Sequence, residues 1–364
     1  PDVMDTWATS SLTPQIAGGW EDDPDLFARV FPMDLRPQAH DIIRTWLFST
    51  VVRSELEHGA LPWSDVAISG WVLDPDRKKM SKSKGNVVTP LPLLEQHGAD
   101  AVRYWAASGR PGTDTAVDDG QMKVGRRLAI KILNASKFVL GRLSEGGRLG
   151  DGPVPGPDAV TAPIDQDLLS RLAAIVARTT AAFDDYDYTK ALEETETFFW
   201  AFCDDYVELV KSRAYGDPAD PATASARGAL AIALSVQLRL FAPFLPFVTE
   251  EVWHWWQTGS VHRASWPTAA EIEPALAGRA AELGSSETLD LAAEVLGAVR
   301  REKTAQKQSM RARVARLTVL DTTRRLTILQ EAEQDLRDAG SVDELVLSEG
   351  PEPSVTVELA PEEA

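Results

Sequence analysis

Two lysines three residues apart, Lys79 and Lys82, are the side chains best suited to chemistry on phosphate. They belong to the run KMSKS at residues 79–83, which continues as KGN. Hydroxyl residues around two compact ammonium groups, followed by a glycine, suit a mobile loop that folds over a polyphosphate and neutralises it. The alternative is a solvated basic turn, since residues 77–84 carry five positive charges and most such runs are only solvated.

The composition indicates a globular chain with more than one domain. Its 364 residues and 44% hydrophobic content are enough for two or three packed cores. The net charge of −18 taken alone argues against a nucleic-acid binder, but the charge is unevenly distributed. Residues 122–142 carry six cations and no acid, and residues 300–316 carry seven cations and one acid. Because phosphate binding depends on charges within roughly 8 Å, these two segments could bind RNA.

Several classes of protein are excluded by residues that the chain lacks. Cys203 is the single cysteine, so neither a disulfide framework nor a thiolate zinc site is expected. The five histidines are scattered without metal-ligand spacing, and we expect no metal ion bound by the protein itself. There is no apolar run long enough for a membrane span and no secretory signal. These features predict a cytoplasmic protein that has no membrane partner.

The elements that must position the lysine run read as α/β. Residues 66–73 form a short apolar run that ends in Asp-Pro, which predicts a strand followed by a turn. Residues 39–58 have helical spacing, and helical periodicity returns from 119 to about 257. Thr249, followed by two glutamates, is predicted to cap a helix after the prolines at 243 and 246.

The last part of the chain reads as a small α+β domain. After a linker rich in small residues at 267–287, the pattern predicts a helix, a strand, a helix and two strands. The predicted ranges are 288–309, 314–320, 326–339, 342–348 and 355–359. We therefore predict an α/β domain over residues 1–110, an all-α helical domain over 111–280 and this α+β domain over 281–364.

The predicted helix at 122–139 has two distinct faces. Leu128, Ile132, Ala135 and Val139 fall within about a 60° arc, which predicts the buried side. An opposite stripe combines cations, an amide and an aromatic ring: Lys123, Arg127, Lys131, Asn134 and Phe138. Cations that hold a backbone beside a ring that stacks a base would suit single-stranded RNA. The alternative is that Phe138 packs under a neighbouring helix and the rest of the stripe is solvated.

The motifs carry a resemblance to a known family. KMSKS is the second signature of the class I aminoacyl-tRNA synthetases, and the Gly-Asn continuation agrees with it. The segments PDVMDTW at 1–7 and HDIIRTW at 40–46 resemble, in the same order, those of valyl-tRNA synthetases. The resemblance continues through GADAVRYW at 98–105 and NASKF at 134–138, and covers residues 1 to about 280 well.

The resemblance implies activation of valine with ATP and Mg²⁺, followed by transfer to a valine tRNA. The lysines of the KMSKS loop would stabilise the departing phosphates, while Ser81 and Ser83 would shape the loop. Asp41 would bind the ATP ribose, and Met80, Lys82 and Gly85 would contribute to the ATP site. The implied fold is the second half of a Rossmann-like catalytic domain, a helical-bundle anticodon-binding domain and a small C-terminal domain.

The resemblance also assigns an amino-acid pocket and tRNA contacts. Trp7, Ile42 and Trp46 would form an apolar pocket of valine size, although an isolated tryptophan is by default a core residue. The stripe from Lys123 to Phe138, together with Arg300 and Arg301, would contact tRNA. We expect the full protein to be monomeric.

Part of the family pattern does not occur in this sequence. We find no HIGH-like motif, so we expect this chain to be the C-terminal part of a longer protein and to be inactive alone. The editing domain of valyl enzymes would also precede it. Two alternatives remain: an isoleucyl-type synthetase fragment, and a non-catalytic tRNA-binding chain that retains a synthetase scaffold. The Asp-Thr-Trp at residues 5–7 favours valine over isoleucine.

Overall fold

The computed structural model describes residues 6–145, 147–276 and 287–361, which divide into two compact units. The first unit contains the residues up to His97 together with Trp105–Met122. The second contains Gly98–Tyr104 and everything from Lys123 onward. The domain boundaries at 110 and 280 stay a prediction. None of the described helices is long and apolar enough to cross a membrane.

The first unit is built around a β–α–β crossover. Its elements are α1 (Thr6–Ser10), α2 (Thr13–Ala17), α3 (Pro24–Val30), β1 (Met33–Ala39), α4 (Phe48–His58), β2 (Trp63–Ser69), β3 (Val72–Leu73), α5 (Pro90–His97) and, after α6 (Ala99–Ala107), β4 (Thr115–Ala116). Strands β1 and β2 are parallel and in register from Met33↔Trp63 to Ala39↔Ser69. Parallel neighbours require such a crossover, and here α4 supplies it. The carboxyl ends of both strands therefore lie at one edge of the sheet.

The second unit begins with helices, as their apolar spacing predicts. They are α7 (Asp119–Arg142, whose first residues lie in the first unit), α8 (Pro163–Asp184), α9 (Tyr188–Ala201), α10 (Val207–Ala214), α11 (Pro221–Phe241) and α12 (Pro246–Trp256). Leu168, Leu172 and Leu230 are almost completely buried among them. On α7, the predicted inner residues Leu128, Ile132 and Val139 are buried, whereas Ala135 is half-buried.

A buried ionic cluster joins three of these helices to the last part of the chain. Arg213 of α10 donates from Nη1 and Nη2 to the Asp165 carboxylate of α8, both at 2.9 Å. Its Nε and Nη2 also donate to Asp335 at 2.7 and 3.0 Å. Tyr206 and Ser225 donate their hydroxyls to Asp165 at 2.8 and 2.6 Å. These contacts satisfy a carboxylate that has no exposed surface, as burial of a charge requires.

The last part of the chain forms the predicted α+β arrangement. Its elements are α13 (Thr288–Ala305), β5 (Val314–Asp321), α14 (Thr323–Gln330), α15 (Glu333–Gly340), β6 (Val342–Glu349) and β7 (Ser354–Leu359). Strand β5 is central, parallel to β6 and antiparallel to β7. The order of elements agrees with the prediction, except that the helix predicted at 326–339 is two short helices. Of the predicted linker, residues 277–286 lie outside the described part.

The predicted cap at Thr249 is wrong. Helix α12 starts at Pro246, and Thr249 lies inside it, where its hydroxyl donates to the Leu245 carbonyl at 2.9 Å. The first N–H groups of α12 instead bind a carboxylate from α6. Asp100 accepts from the amides of Phe247 and Val248 at 3.1 and 2.8 Å. The cap comes from 147 residues away, so no local pattern could have indicated it.

Candidate functional site

The KMSKS loop leaves the sheet at β3 and turns back on it. Strand β3 pairs with β4, and Leu73 forms an isolated antiparallel bridge with Lys79. Between them, the Asp74 N–H donates to the Lys78 carbonyl at 2.9 Å, closing the turn. A short 3₁₀ turn at Lys82–Lys84 follows and ends at Gly85, whose φ of 68° is the left-handed conformation that favours glycine. The conformation explains why a glycine stands at position 85, and its contribution to the ATP site stays a prediction.

The side chains of the loop differ in how firmly they are held. Lys82 is exposed, as a residue that meets a ligand from outside should be. Met80 is half-buried, and its sulfur accepts from the Val88 N–H at 3.2 Å. The hydroxyls of Ser81 and Ser83 lie 2.7 Å apart and share a hydrogen bond. The loop is thus an ordered turn with cations on its surface.

Lys79 is held at the carboxyl ends of the parallel strands. Its ammonium nitrogen lies 3.7 Å from the centroid of the Trp71 ring, which follows β2. That ring packs 4.8 Å from His40, which follows β1, and His40 Nδ1 is 3.4 Å from the Ser69 carbonyl oxygen. Asp41, the predicted ribose ligand, is the next residue and is exposed. In open parallel sheets, ligands bind outside the carboxyl ends of the strands.

The three predicted residues of the amino-acid pocket have different environments. Trp7 of α1 is 43% exposed, Ile42 is half-buried and Trp46 is 6% exposed. The Trp46 indole donates to the Ser10 carbonyl at 2.8 Å, and its ring stacks on Trp63 at 5.7 Å. The Trp46 position agrees with the alternative of core packing. Its role in the pocket stays a prediction, as do those of Trp7 and Ile42.

Trp46 lies in a π-helical turn, Ile43–Leu47, between the 3₁₀ turn at His40–Ile42 and α4. Such turns are rare and occur frequently at functional sites. The Arg36 guanidinium lies 4.0 Å from the centroid of the Trp46 ring, and burial lowers the pKa of Arg36. The sequence pattern gave one helical segment over residues 39–58, so it did not separate the π turn from the 3₁₀ turn before it and α4 after it.

The predicted RNA-contacting stripe of α7 is partly engaged within the second unit. Lys131 forms an ion pair with Asp204 at 2.9 Å. The Phe138 ring is half-buried and lies 6.0 Å from the Tyr215 ring. Lys123, Arg127 and Asn134 are exposed. The stripe therefore offers an amide and cations at its surface, whereas its aromatic ring already has an aromatic neighbour.

The second basic segment is mostly paired. Arg300 donates to the Asp204 carbonyl at 2.8 Å, while Arg301 is exposed. Lys303 is buried, donates to the Gly340 carbonyl at 2.8 Å, and has its pKa lowered by burial. Two further members, Arg313 and Arg316, pair with acids of β6. The expectation that this whole segment could contact phosphate is wrong for Lys303, because its ammonium group faces two backbone carbonyls.

Sequence reasoning missed three residues that organise the KMSKS loop. They are Trp71, Asp74 and Asn86. Trp71 contacts the Lys79 ammonium group, Asp74 accepts from the Lys78 N–H, and Asn86 donates to Asp74. Asn86 was visible as the end of the Gly-Asn continuation. Its partners were not visible, because the hydrogen bonds depend on the return of the chain toward Asp74.

Comparison with known sequences assigns most of the chain to two families. The family described as tRNA synthetases class I (I, L, M and V) matches residues 1–118. The family described as the anticodon-binding domain of tRNA ligase matches residues 165–318. A valine–tRNA ligase from Thermobifida fusca (strain YX) is 63% identical over all of this chain and 40% of its own length. One from Salinispora tropica is 60% identical over 97% of this chain and 42% of its own length.

Solved structures agree on the fold. The LeuRS–tRNA–LeuAMS ternary complex of Agrobacterium radiobacter K84 superposes with a TM-score of 0.61 at 22% identity, covering 76% of this chain and 34% of that one. Methionyl-tRNA synthetase of Mycobacterium tuberculosis, in complex with methionyl-adenylate, gives 0.56 at 24% identity, covering 69% and 49%.

The chain therefore belongs to the class I aminoacyl-tRNA synthetases. Within that class, the relatives that match its whole length are valine–tRNA ligases, as the motifs at both ends of the catalytic part predict. The chain spans about two fifths of the length of these relatives.

Proposed function

We propose that the protein containing this chain activates valine with ATP and transfers it to a valine tRNA. The observation that carries the proposal is that Lys79 lies on the Trp71 ring, which also packs against His40 at the carboxyl end of β1. Asp41 is the next residue after His40. The names of the relatives supply the amino acid. Of the two helices with basic segments, α13 lies within the anticodon-binding match at residues 165–318, whereas α7 precedes that match.

In the first step, a carboxylate oxygen of valine attacks the α-phosphorus of ATP. A phosphorus–oxygen bond forms, the bond to the bridging oxygen of the β-phosphate breaks, and pyrophosphate leaves with the electron pair. A carboxylate needs no general base, so catalysis depends on positioning and on stabilising the charge of the leaving group. The proposed roles are charge stabilisation for Lys79 and Lys82, and binding of the ribose hydroxyls for Asp41.

The metal ion enters this reaction with its substrate. No group of three or more metal-binding side chains occurs within residues 6–145, 147–276 and 287–361. We therefore assign Mg²⁺ to the phosphates of ATP, where it would neutralise the leaving pyrophosphate together with the lysines. In the second step, a hydroxyl of the tRNA attacks the carbonyl carbon of the adenylate, and AMP leaves.

The pocket for valine is assigned to Trp7, Ile42 and Trp46. An apolar pocket excludes larger side chains sterically but rejects threonine only by about a hundredfold. The tRNA is assigned to Lys123, Arg127, Lys131, Asn134 and Phe138 of α7 and to Arg300 and Arg301 of α13. Monomeric state and cytoplasmic location stay predictions.

The test is amino-acid-dependent exchange of pyrophosphate into ATP by the complete protein that the gene encodes. We expect exchange with valine, and a loss of at least about a hundredfold in kcat on Lys79→Ala, because the substitution removes a charge that stabilises the leaving group. Lys190→Ala, on α9 in the second unit, is the matched control and should change neither kcat nor KM.

Two outcomes would contradict the proposal, and a third would contradict a separate expectation. Exchange that depends on isoleucine would identify an isoleucyl-type enzyme. Absence of exchange with any amino acid, combined with tight tRNA binding, would identify a non-catalytic RNA-binding protein. Exchange by residues 1–364 alone would refute our expectation that this chain is inactive by itself.

A further inference from the structure

The Asn86 side chain links the residues on either side of Met80 in the KMSKS loop to the end of β3. The Asn86 amide oxygen accepts from the Ser81 N–H at 3.0 Å. Its amide nitrogen donates to the Lys79 carbonyl at 3.3 Å and to the Asp74 carboxylate at 2.7 Å. The side chain therefore uses both its acceptor and its donors, and fixes the backbone on each side of Met80.

Asp74, to which the Asn86 amide donates, is itself held firmly in place. It follows β3 directly, and its residue is only 6% exposed. The second carboxylate oxygen accepts from the Lys78 N–H at 2.8 Å. That N–H and, after it, the Asn86 amide lower the pKa of Asp74, so the carboxylate stays charged at neutral pH. A charged acceptor makes the bond from Asn86 stronger than one between two neutral groups.

Trp71 provides the surface on which the Lys79 ammonium lies. Its backbone is fixed on both sides, because its N–H donates to Asp114 Oδ1 at 2.8 Å and its carbonyl accepts from the Thr115 N–H at 2.9 Å. Gly70 allows this close approach, since a Cβ there would come within 2.2 Å of the Thr113 carbonyl oxygen. A cation over an indole face is held by the quadrupole of the ring.

Two anchors thus act on Lys79, one on its backbone and one on its ammonium group. If these contacts only ordered a surface turn, they would not need to meet at one lysine. Lys79, Lys82 and Lys84 are all exposed, and within the described part of the chain Lys79 alone of the three combines a ring contact of its ammonium group with a side-chain bond to its carbonyl.

We propose that Asp74 and Asn86 form a positioning pair that holds the loop backbone so that Lys79, resting on Trp71, presents its charge where the nucleotide phosphates bind. The inference rests on the proposed function and deepens it. Neither Asp74 nor Asn86 needs to touch the substrate. Their contribution is pre-organisation, which keeps the ammonium group from having to be ordered during the reaction.

The first experiment measures kcat and KM for ATP in valine-dependent pyrophosphate exchange by the complete protein. Asn86→Ala removes two bonds to the loop backbone and should lower kcat by about ten- to thirtyfold. Asp76→Asn, an exposed carboxylate in the same turn, is the matched control and should behave like the wild type.

A double-mutant cycle with Lys79→Ala separates positioning from general loop stability. If Asn86 acts through Lys79, adding Asn86→Ala to Lys79→Ala should lower kcat by less than about threefold, because effects of groups that act as a unit are not additive. Full additivity would overturn the proposal, and so would a kcat for Asn86→Ala equal to that of the wild type.

Swapping the side chains of positions 74 and 86 tests whether the two residues act as a pair. Asn86→Asp alone places two carboxylates where the bond of 2.7 Å was, and should lose most activity. Adding Asp74→Asn restores the bond between the two side chains, but not the bond from position 86 to the Lys79 carbonyl, because a carboxylate cannot donate. The double variant should therefore recover part of the kcat lost in Asn86→Asp and reach about the level of Asn86→Ala. A double variant no better than Asn86→Asp would overturn the pairing.

Trypsin cleavage of the same proteins gives a readout independent of activity. Cleavage within residues 77–84, followed by mass spectrometry, should be faster in Asn86→Ala than in the wild type, while Lys190→Ala, far along the chain from these sites, is unchanged. Equal cleavage rates would show that Asn86 does not hold the loop. A wild type without valine-dependent exchange would refute the proposed function, and the cleavage rates would still decide the role of Asn86 in the loop.

Discussion

Removal of the Arg213 guanidinium is expected to destabilise the second unit more than any change to a surface charge. The substitution Arg213→Met keeps the apolar stem and removes all four bonds to Asp165 and Asp335. Two carboxylates are then left without their counter-ion, one of them fully buried and the other 7% exposed at its side chain. Breaking a buried pair in this way costs roughly 3–5 kcal/mol.

The expected loss lies within that range because Asp165 keeps part of its environment. The hydroxyls of Tyr206 and Ser225 still donate to it, whereas Asp335 keeps no comparable pair of donors among the hydrogen bonds described above. We expect a loss of about 4 kcal/mol in the free energy of unfolding, measured by urea denaturation at pH 7. Arg178→Met is the control, since Arg178 pairs with Glu194 while half exposed, and should cost less than about 1 kcal/mol.

The pH dependence of this loss identifies its cause. Burial raises the pKa of Asp335, and Arg213 opposes that rise. Without Arg213 the pKa of Asp335 should rise further, so the folded variant would hold its proton at a pH where the unfolded chain has lost it. The loss should therefore shrink as the pH falls toward the ordinary aspartate pKa and grow as the pH rises above it. A loss below about 1 kcal/mol, or one independent of pH, would refute the electrostatic reasoning.

Two further changes test other buried contacts. Burial raises the pKa of the Cys203 thiol from 9.0 to about 12, so its contribution to stability should fall as the pH rises from about 9 toward 12, because only the unfolded chain loses the proton. Between pH 8 and pH 10.5, the urea midpoint of Cys203→Ala should therefore rise relative to that of the wild type. An unchanged difference between the two midpoints would contradict this reasoning. Asp100→Ala should cost about 1–2 kcal/mol in the same assay, because it removes the acceptor for two N–H groups of α12. Asp25→Ala, at an 83% exposed side chain, should cost little, and equal losses would refute the capping role.

The period of the apolar residues was enough to predict the helices and one buried face. Leu128, Ile132 and Val139 are buried because a helix brings every third or fourth residue to one side, whatever the rest of the chain does. The elements of the last domain were predicted in the right order for the same reason. The KMSKS loop was identified by its letters, whereas the left-handed conformation of its glycine came from the structure.

Contacts between distant residues could not be read from any local pattern. Lys303 appeared as one of seven cations in a basic segment, yet it is buried against the Gly340 carbonyl. No pattern in the sequence singled out Arg213, yet it holds two carboxylates that lie 48 and 122 residues away. A charge pattern states which ions are present, but not which of them the fold removes from water.

The sequence by itself determined the family, the presence of the KMSKS loop and the helical and strand periods. These depend on residue type and on spacing along the chain, which folding does not change. The tertiary structure alone decided that Lys79 rests on Trp71 at the ends of two parallel strands, and that Asp100 caps a helix 147 residues away. Such contacts depend on where the chain returns in space, because hydrogen bonds and ring contacts act over only a few ångströms.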